Sequence, residues 1–177
     1  MKDIDDLRKY IRNVPDFPVK GVQFKDVSTL FKDPQALQEV SAILTGYYKN
    51  YGITKVAGIE SRGFIMGSIL AQNLNAGFIP IRKPGKLPAK TIEEIYQKEY
   101  GSDSIQIHED ALEKEDVVLI HDDLLATGGT SLAAYHLIRK IGVRNIFFNY
   151  IIELEELNGR DKLPEDIEIM TLLKFDR

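Results

Sequence analysis

The chain contains no cysteine among its 177 residues. That absence excludes disulfides, thiolate metal sites and a cysteine nucleophile. Strong charge of one sign is also missing, since 27 acidic and 23 basic residues leave a formal net charge of −4. A protein of that charge has no general electrostatic reason to bind nucleic acid or anionic membranes. We therefore expect neither a nucleic acid nor a membrane among its partners.

Long hydrophobic runs are also lacking. The longest stretch without charge covers residues 63–81, and it is interrupted by Gln72, Asn73 and Pro80, which are costly in lipid. The stretch is more typical of a buried helix followed by a strand. The first six residues are acidic, unlike a secretory signal. We expect a cytoplasmic protein with one domain over residues 1–177.

Apolar periodicity indicates alternating helices and strands. Helices are predicted near 4–11, 34–47, 63–75 and 130–141, and strands near 55–60, 78–82, 117–120, 145–151 and 167–173. Such alternation predicts an α/β fold with a doubly wound parallel sheet. Residues 14–21 contain too many prolines for either element and are interpreted as an ordered surface loop. Residues 83–105 lack a sustained period and are interpreted as a functional flap, with a short hairpin possible near Ile105 and Ile107.

The most informative segment is Val117-Val-Leu-Ile-His-Asp-Asp-Leu-Leu-Ala-Thr-Gly-Gly-Thr-Ser131. It predicts a buried strand that ends in two acids, followed by a loop of small residues that opens a helix. Ligands of open α/β sheets bind beyond the carboxyl ends of strands. Gly128 and Gly129 allow close backbone approach, and the amides at a helix start favour a phosphate. The hydroxyls of Thr127 and Thr130 can add donors.

The two acids limit what this ligand can be. Asp122 and Asp123 would repel a phosphate, but they suit neighbouring hydroxyl groups or a divalent metal. A phosphate with vicinal hydroxyls a few ångströms away describes a ribose 5-phosphate. The alternative is a tight strand-to-helix turn with solvated acids, which we consider the weaker interpretation. Other phosphate loops, Gly-x-x-x-x-Gly-Lys-Ser/Thr and Gly-x-Gly-x-x-Gly, are absent from the sequence.

The segment resembles the phosphoribosyl-diphosphate motif of the type I phosphoribosyltransferases. Further stretches resemble the branch that acts on adenine, from about residue 10 onward: Pro15-Asp-Phe-Pro18, Gly21–Asp26, Glu60-Ser-Arg-Gly-Phe64, Ile81–Pro88, Glu99-Tyr-Gly101 and Gly159-Arg-Asp-Lys-Leu163. The resemblance implies a parallel twisted sheet flanked by helices, with a small N-terminal hood (mainly 1–30) and a flexible flap (about 83–105). It implies a homodimer that makes AMP and pyrophosphate from adenine and phosphoribosyl diphosphate in purine salvage, with Mg²⁺ held mainly by substrate and no direct protein ligand assigned.

The resemblance also implies roles for individual residues. The phosphoribosyl group would be bound by Asp122, Asp123, Ala126, Thr127, Gly128, Gly129 and Thr130. Pyrophosphate would be bound by Ser61, Arg62, Lys83 and Lys86, with a cis peptide between Glu60 and Ser61; Arg82 belongs to the same basic cluster.

The remaining assignments concern adenine and the proton. Phe24 would stack on adenine, and the backbone at Gln23 and Lys25 would contact its edge. Glu99 would be the acid–base residue. His121 departs from the family pattern, which has an aliphatic or small residue there, and is interpreted as a histidine with a satisfied ring nitrogen. The alternatives kept open are a transferase for another purine base and a regulator that senses phosphoribosyl diphosphate.

Overall fold

A five-stranded parallel sheet forms the centre of the molecule, in a computed structural model that describes residues 4–97 and 101–176. In chain order the elements are β1 (Arg12–Pro15), β2 (Gln23–Asp26), α1 (Ser28–Lys32), α2 (Pro34–Tyr48), β3 (Lys55–Ile59), α3 (Gly63–Asn73), β4 (Gly77–Ile81), β5 (Thr91–Gln97), β6 (Ser102–His108), β7 (Val117–Leu125), α4 (Gly129–Ile141), β8 (Asn145–Leu154) and β9 (Ile169–Phe175). The central sheet has the order β4-β3-β7-β8-β9. The predicted α/β architecture is confirmed.

Helices cover both faces of this sheet. Val118 and Ile120 of β7 pack with Leu137 of α4 on one face, whereas Leu119 packs with Leu44 of α2 on the other. Successive side chains of a strand point to opposite faces, so a strand covered on both sides is apolar without a break. Both faces of the run Val117–Ile120 are buried because β7 lies at the middle of the sheet.

The start of α2 follows the prediction made from Asp33-Pro34. The Asp33 carboxylate accepts hydrogen bonds from the backbone N–H groups of Gln35 and Ala36, at 3.0 and 2.9 Å. Pro34 occupies the first helical position, where its missing N–H costs nothing. None of the helices among the described residues is both long enough and apolar enough to cross a bilayer.

Strand β7 is longer than predicted. It continues past the two acids to Leu125, so Asp122 and Asp123 lie within the strand rather than at its end. The extension follows from pairing with β8, in which Asp122 lies opposite Tyr150 and Leu125 opposite Glu153. The pairing offers backbone hydrogen bonds to polar residues that periodicity alone assigns to a loop.

The segment 14–21 was predicted as a loop, and this is partly wrong. Val14 and Pro15 belong to β1, which pairs antiparallel with β2, Val14 opposite Phe24. Proline is tolerated there because β1 is an edge strand of a two-stranded sheet. Residues 16–22 form the connection and contain a cis bond between Phe17 and Pro18. The predicted first helix is a 3₁₀ helix over Ile4–Tyr10.

The segment 83–105 contains more regular structure than its sequence predicts. Strands β5 and β6 form an antiparallel hairpin in which Ile92 lies opposite Ile107 and Ile95 opposite Ser104. One face packs on α4, where Lys140 Nζ lies 2.5 Å from Glu94 Oε2. The helix α4 thus stabilises a charged residue within strand β5. Such a tertiary contact cannot be predicted from the periodicity of the sequence.

Candidate active site

The loop between β7 and α4 turns at Gly128, which has a φ of +76°. Only glycine adopts this conformation without strain. No side chain of the described residues caps the first turn of α4, so its N–H groups remain available. Gly129 begins α4, while Thr127 and Thr130 are half-buried beside it. The loop 126–130 therefore has the donors and the helix dipole that an anion requires.

The two acids of β7 lie next to this loop. Asp123 is buried at 2% exposure, whereas Asp122 is half-buried and accepts a hydrogen bond from the Asp123 N–H at 2.9 Å. Burial and the adjacent negative charge of Asp123 raise the pKa of Asp122 well above its usual range. The charged form of Asp122 is therefore disfavoured beside Asp123.

Arg62 connects this pair to the start of α3. Its Nε lies 2.5 Å from Oδ2 of Asp123, although the contact is not aligned as a hydrogen bond. Close approach is possible because Gly63 follows, where a Cβ atom would lie 2.7 Å from the His121 carbonyl oxygen. The alternative partner for Arg62, Glu60, is engaged elsewhere. The expected cis peptide between Glu60 and Ser61 is present, and Ser61 is exposed.

Glu60 is held by Arg82 rather than by Arg62. Arg82 donates to both Glu60 oxygens at 3.2 Å, and the Lys83 N–H donates at 2.9 Å. Burial alone would raise the pKa of Glu60, but these hydrogen bonds lower it. Arg82 also donates to the Lys86 carbonyl at 3.2 Å. Arg82 thus fixes the backbone conformation of the segment that carries Lys83 and Lys86.

Lys83 and the hairpin contact the loop 126–130 through Tyr96. The Tyr96 hydroxyl accepts hydrogen bonds from Thr130 Oγ1 at 3.1 Å and from Lys83 Nζ at 3.2 Å. Lys83 also forms a close ion pair with Asp103. Burial lowers the pKa of Lys83, but the hydrogen bonds to Asp103 and Tyr96 outweigh it and raise the pKa overall. The side chain of Lys86, by contrast, is exposed.

The residues predicted for the base lie on β2. The Phe24 ring packs edge-on against Phe17 at 5.2 Å, and the Arg62 guanidinium carbon lies 5.4 Å from its centroid. Gln23 and Lys25, one residue away on either side, both contact Asn13 instead, at 2.7 and 3.1 Å. The alternation of a strand therefore directs Phe24 alone toward Arg62. Glu99 lies outside the described residues.

His121 is fully buried, and its Nδ1 lies 2.7 Å from Oδ1 of Asn149. The predicted satisfied ring nitrogen is therefore confirmed. The second nitrogen, Nε2, has no hydrogen-bond partner in the described part of the chain. Burial lowers the pKa of His121 to about 4, so the ring is neutral at physiological pH.

The sequence did not identify three residues at this site. Tyr96 and Asp103 carried no signal, because a tyrosine and an aspartate in a charged segment resemble solvated surface. Gly159 was quoted only as part of a matching stretch, yet its carbonyl oxygen would lie 2.2 Å from a Cβ on Gly128. The pair Gly159-Arg160, which follows β8, was the sequence signal that could have identified this contact.

Residues far apart in sequence thus meet at Arg62: Phe24 on one side and Asp123 on the other. The aromatic ring of Phe24, which can stack on a base, and the carboxylates of Asp122 and Asp123, which can accept from hydroxyls, both lie near Arg62. The loop 126–130, which can bind an anion, follows the two acids in the chain. This arrangement can hold a planar base, a sugar and phosphates side by side, as transfer of a sugar phosphate to a base requires.

Known proteins resemble this chain in sequence and in fold. Residues 26–169 match the family model described as the phosphoribosyl transferase domain. An adenine phosphoribosyltransferase of Bacteroides thetaiotaomicron is 62% identical over 94% of this chain and 95% of its own length. The crystal structure of adenine phosphoribosyltransferase from Rhodothermus marinus is 46% identical, with a TM-score of 0.92 and coverage of 97% and 98%. The Giardia lamblia enzyme complexed with 9-deazaadenine is 41% identical, with a TM-score of 0.94 and full coverage of both chains at 100%.

Proposed function

The chain belongs to the phosphoribosyl transferase family, and we propose that the site around Arg62 holds its two substrates side by side. The reaction is transfer of the 5-phosphoribosyl group from phosphoribosyl diphosphate to adenine, which gives AMP and pyrophosphate. The observation that carries the proposal is the meeting of Phe24, Arg62 and Asp123 in one place. It supports a base, a diphosphate and a ribose in adjoining positions.

The phosphoribosyl end is proposed to lie over β7 and the start of α4. The N–H groups of residues 126–130 and the Thr127 and Thr130 hydroxyls would donate to the 5′-phosphate. Asp122 and Asp123 would accept from the ribose hydroxyls.

The leaving diphosphate is proposed to contact Ser61, Arg62, Lys83 and Lys86. The bond from the anomeric carbon to the diphosphate oxygen breaks, and the bond from that carbon to a base nitrogen forms. Positive groups that face the departing diphosphate stabilise charge that grows in the transition state. Arg62 would exchange part of its contact with Asp123 for the diphosphate.

Adenine is proposed to stack on Phe24, with its edge against the backbone of Gln23 and Lys25. Stacking of a base on an aromatic ring contributes about 1–3 kcal/mol. Glu99 would accept the proton released from the imidazole edge of the purine as the new bond forms. The segment 83–105 would exclude water from the anomeric carbon.

Mg²⁺ is part of the proposal. Among the described residues there is no cluster of three or more His, Cys, Asp or Glu side chains that could hold a metal. Mg²⁺ keeps several waters and binds through one or two carboxylates plus substrate phosphates, so the Asp122–Asp123 pair and a diphosphate suit it. When bound, it neutralises charge on the diphosphate. A homodimer in the cytoplasm is likewise proposed, on the resemblance alone.

A pyrophosphate-release assay with each purine and pyrimidine base in turn tests the function. We expect rapid release with adenine and much slower release with hypoxanthine, guanine, xanthine or uracil. Preference for another purine would replace the proposed base. Binding of phosphoribosyl diphosphate in calorimetry, without release for any base, would favour the sensing regulator.

A further inference from the structure

The short 3₁₀ helix Gly159–Lys162, which follows β8, touches the loop 126–129 backbone to backbone. A Cβ atom on Gly159 would lie 2.1 Å from the Ala126 carbonyl oxygen and 2.9 Å from the Gly128 nitrogen. Both distances are far below a van der Waals contact, so a methyl group there would displace the loop. The orientation of these peptide groups decides where the N–H groups of the loop point.

Arg160 holds this helix in place. Its Nε and Nη2 atoms donate to the two oxygens of Glu153 at 2.9 and 2.6 Å, and Nη1 donates to the Ile169 carbonyl at 3.1 Å. A bidentate salt bridge of this kind fixes the relative orientation of the two side chains as well as pairing their charges. Thr171 completes it by donating to Glu153 at 2.9 Å.

Glu153 fixes the other end of the unit to the sheet. Its side chain is almost fully buried, and in the register of the sheet it lies opposite Leu125, the residue before Ala126. The loop 126–129 is thus confined from two sides: by β7, from which it leaves, and by Gly159, which Arg160 attaches to the neighbouring strand. Gly159 contacts Ala126 and Gly128, which are assigned to the phosphoribosyl group, but Glu153, Arg160 and Gly159 themselves are not assigned to bind substrate.

We propose that Glu153, Arg160 and Gly159 form a positioning unit that sets the direction of the N–H groups in the loop 126–129 toward the 5′-phosphate. The inference rests on the proposed function, since it adds residues that act through the phosphate loop. The unit would affect ligands that carry the 5′-phosphate, and it would leave the contacts of pyrophosphate and free adenine almost unchanged.

Three variants remove the unit in different ways. Gly159→Ala inserts a methyl group at the contact with the loop. Arg160→Lys keeps the positive charge but offers one ammonium group in place of the fork. The double variant Glu153→Met with Arg160→Met replaces the pair by apolar side chains, an exchange that often leaves stability unchanged.

Two matched controls accompany these variants. Gly46→Ala also adds a methyl group, but a Cβ atom there meets nothing within 4 Å in the described part of the molecule. Lys174→Met removes an exposed ion pair, in which Lys174 Nζ lies 2.7 Å from Glu155. Both controls should behave as the parent protein.

The measurements are the KM values for phosphoribosyl diphosphate and adenine, the inhibition constants for AMP and for pyrophosphate, and the thermal midpoint. We expect the KM for phosphoribosyl diphosphate and the inhibition constant for AMP to rise about 10-fold or more in Gly159→Ala and in the double variant, because small misplacement of a binding group is costly. Arg160→Lys should have a smaller effect. The adenine KM and the pyrophosphate constant should change less than about 2-fold.

Other patterns overturn the inference. Equal loss of affinity for AMP and pyrophosphate would mean a general disturbance, and a lower thermal midpoint with unchanged constants would mean a purely structural pair. If the double variant fails to fold, Gly159→Ala and Arg160→Lys decide the question. The test is then whether the inhibition constant for AMP rises more than that for pyrophosphate, and whether the KM for phosphoribosyl diphosphate rises more than that for adenine. Failure of the parent protein to release pyrophosphate would instead refute the proposed function, which separates the two results.

Discussion

Arg62 and Asp123 form an ion pair of 2.5 Å between the start of α3 and the middle of β7. The guanidinium is partly exposed, whereas the carboxylate is buried, so the pair joins the open part of the site to the core. It also links two groups of residues that the sequence predicts for different parts of one ligand. Variants of Asp123 and of its neighbour Asp122 therefore test the site most directly.

Replacing Asp122 or Asp123 by Asn should lower kcat/KM by about 100-fold or more, because each carboxylate is proposed to accept from a ribose hydroxyl in a site shielded from water. Steady-state kinetics and calorimetry with phosphoribosyl diphosphate measure the effect. Asp110→Asn, at an exposed position, is the control. Kinetics equal to those of this control would refute the assignment.

Glu99→Gln should reduce kcat by at least about 10-fold and leave the adenine KM nearly unchanged, because proton transfer contributes about 100-fold or more and belongs to the transition state. Glu109→Gln, at an exposed position, serves as the comparison. An equal change in kcat and KM would assign Glu99 to substrate binding instead.

Phe24→Ala should raise the adenine KM by about 10-fold, which corresponds to the 1–3 kcal/mol typical of base stacking. Phe24→Tyr keeps a ring and should restore most of the affinity, whereas Phe24→Leu keeps only apolar volume and should not. If Leu restores affinity as well as Tyr, the contact is packing rather than stacking. A normal KM in all three variants returns Phe24 to a structural role.

Acid should destabilise the protein through His121. Its pKa falls from 6.5 in the unfolded chain to about 4 in the folded one, so the unfolded state binds more protons between these values. The stabilisation is complete above pH 6.5 and is lost as the pH falls, by about 3 kcal/mol at pH 4.

Urea unfolding at several pH values measures this effect. His121→Phe should have a shallower decline of the free energy of unfolding between pH 7 and pH 4, even if it is less stable throughout. His136→Gln, which removes a histidine whose side chain is 48% exposed, is the matched control. A His121→Phe slope equal to that of the parent protein would exclude this histidine as the cause.

Much of the central sheet follows from the sequence, because local signals and tertiary packing agree there. Val117–Ile120 is apolar on both faces, and Asp33 and Pro34 define a helix start by their own chemistry. The continuation of β7 through Asp122 was not predictable in this way, since it depends on pairing with Tyr150. Hydrogen bonds between strands distant in sequence leave no mark on the local pattern.

The site divides along the same line. The anion loop and the two acids could be derived from residue chemistry, whereas Phe24 and Arg62 needed the family resemblance, because a single aromatic or arginine in a loop has no distinctive pattern. Tyr96 and Glu153 were missed by both routes, and Arg160 was matched only as part of the stretch Gly159–Leu163, with no role assigned to it. They act through other residues, and their partners lie up to 34 positions away.

Gly63 has a consequence for redesign of the enzyme. A Cβ atom there would lie 2.7 Å from the His121 carbonyl oxygen and 3.1 Å from Asp122 Oδ1. The spacing between the start of α3 and the middle of β7 is therefore set by main-chain atoms already in contact. With the sugar and the diphosphate bound on the two sides of this crossing as proposed, a ligand with a longer or shorter span between them would require a different backbone path, because exchange of side chains leaves that spacing unchanged.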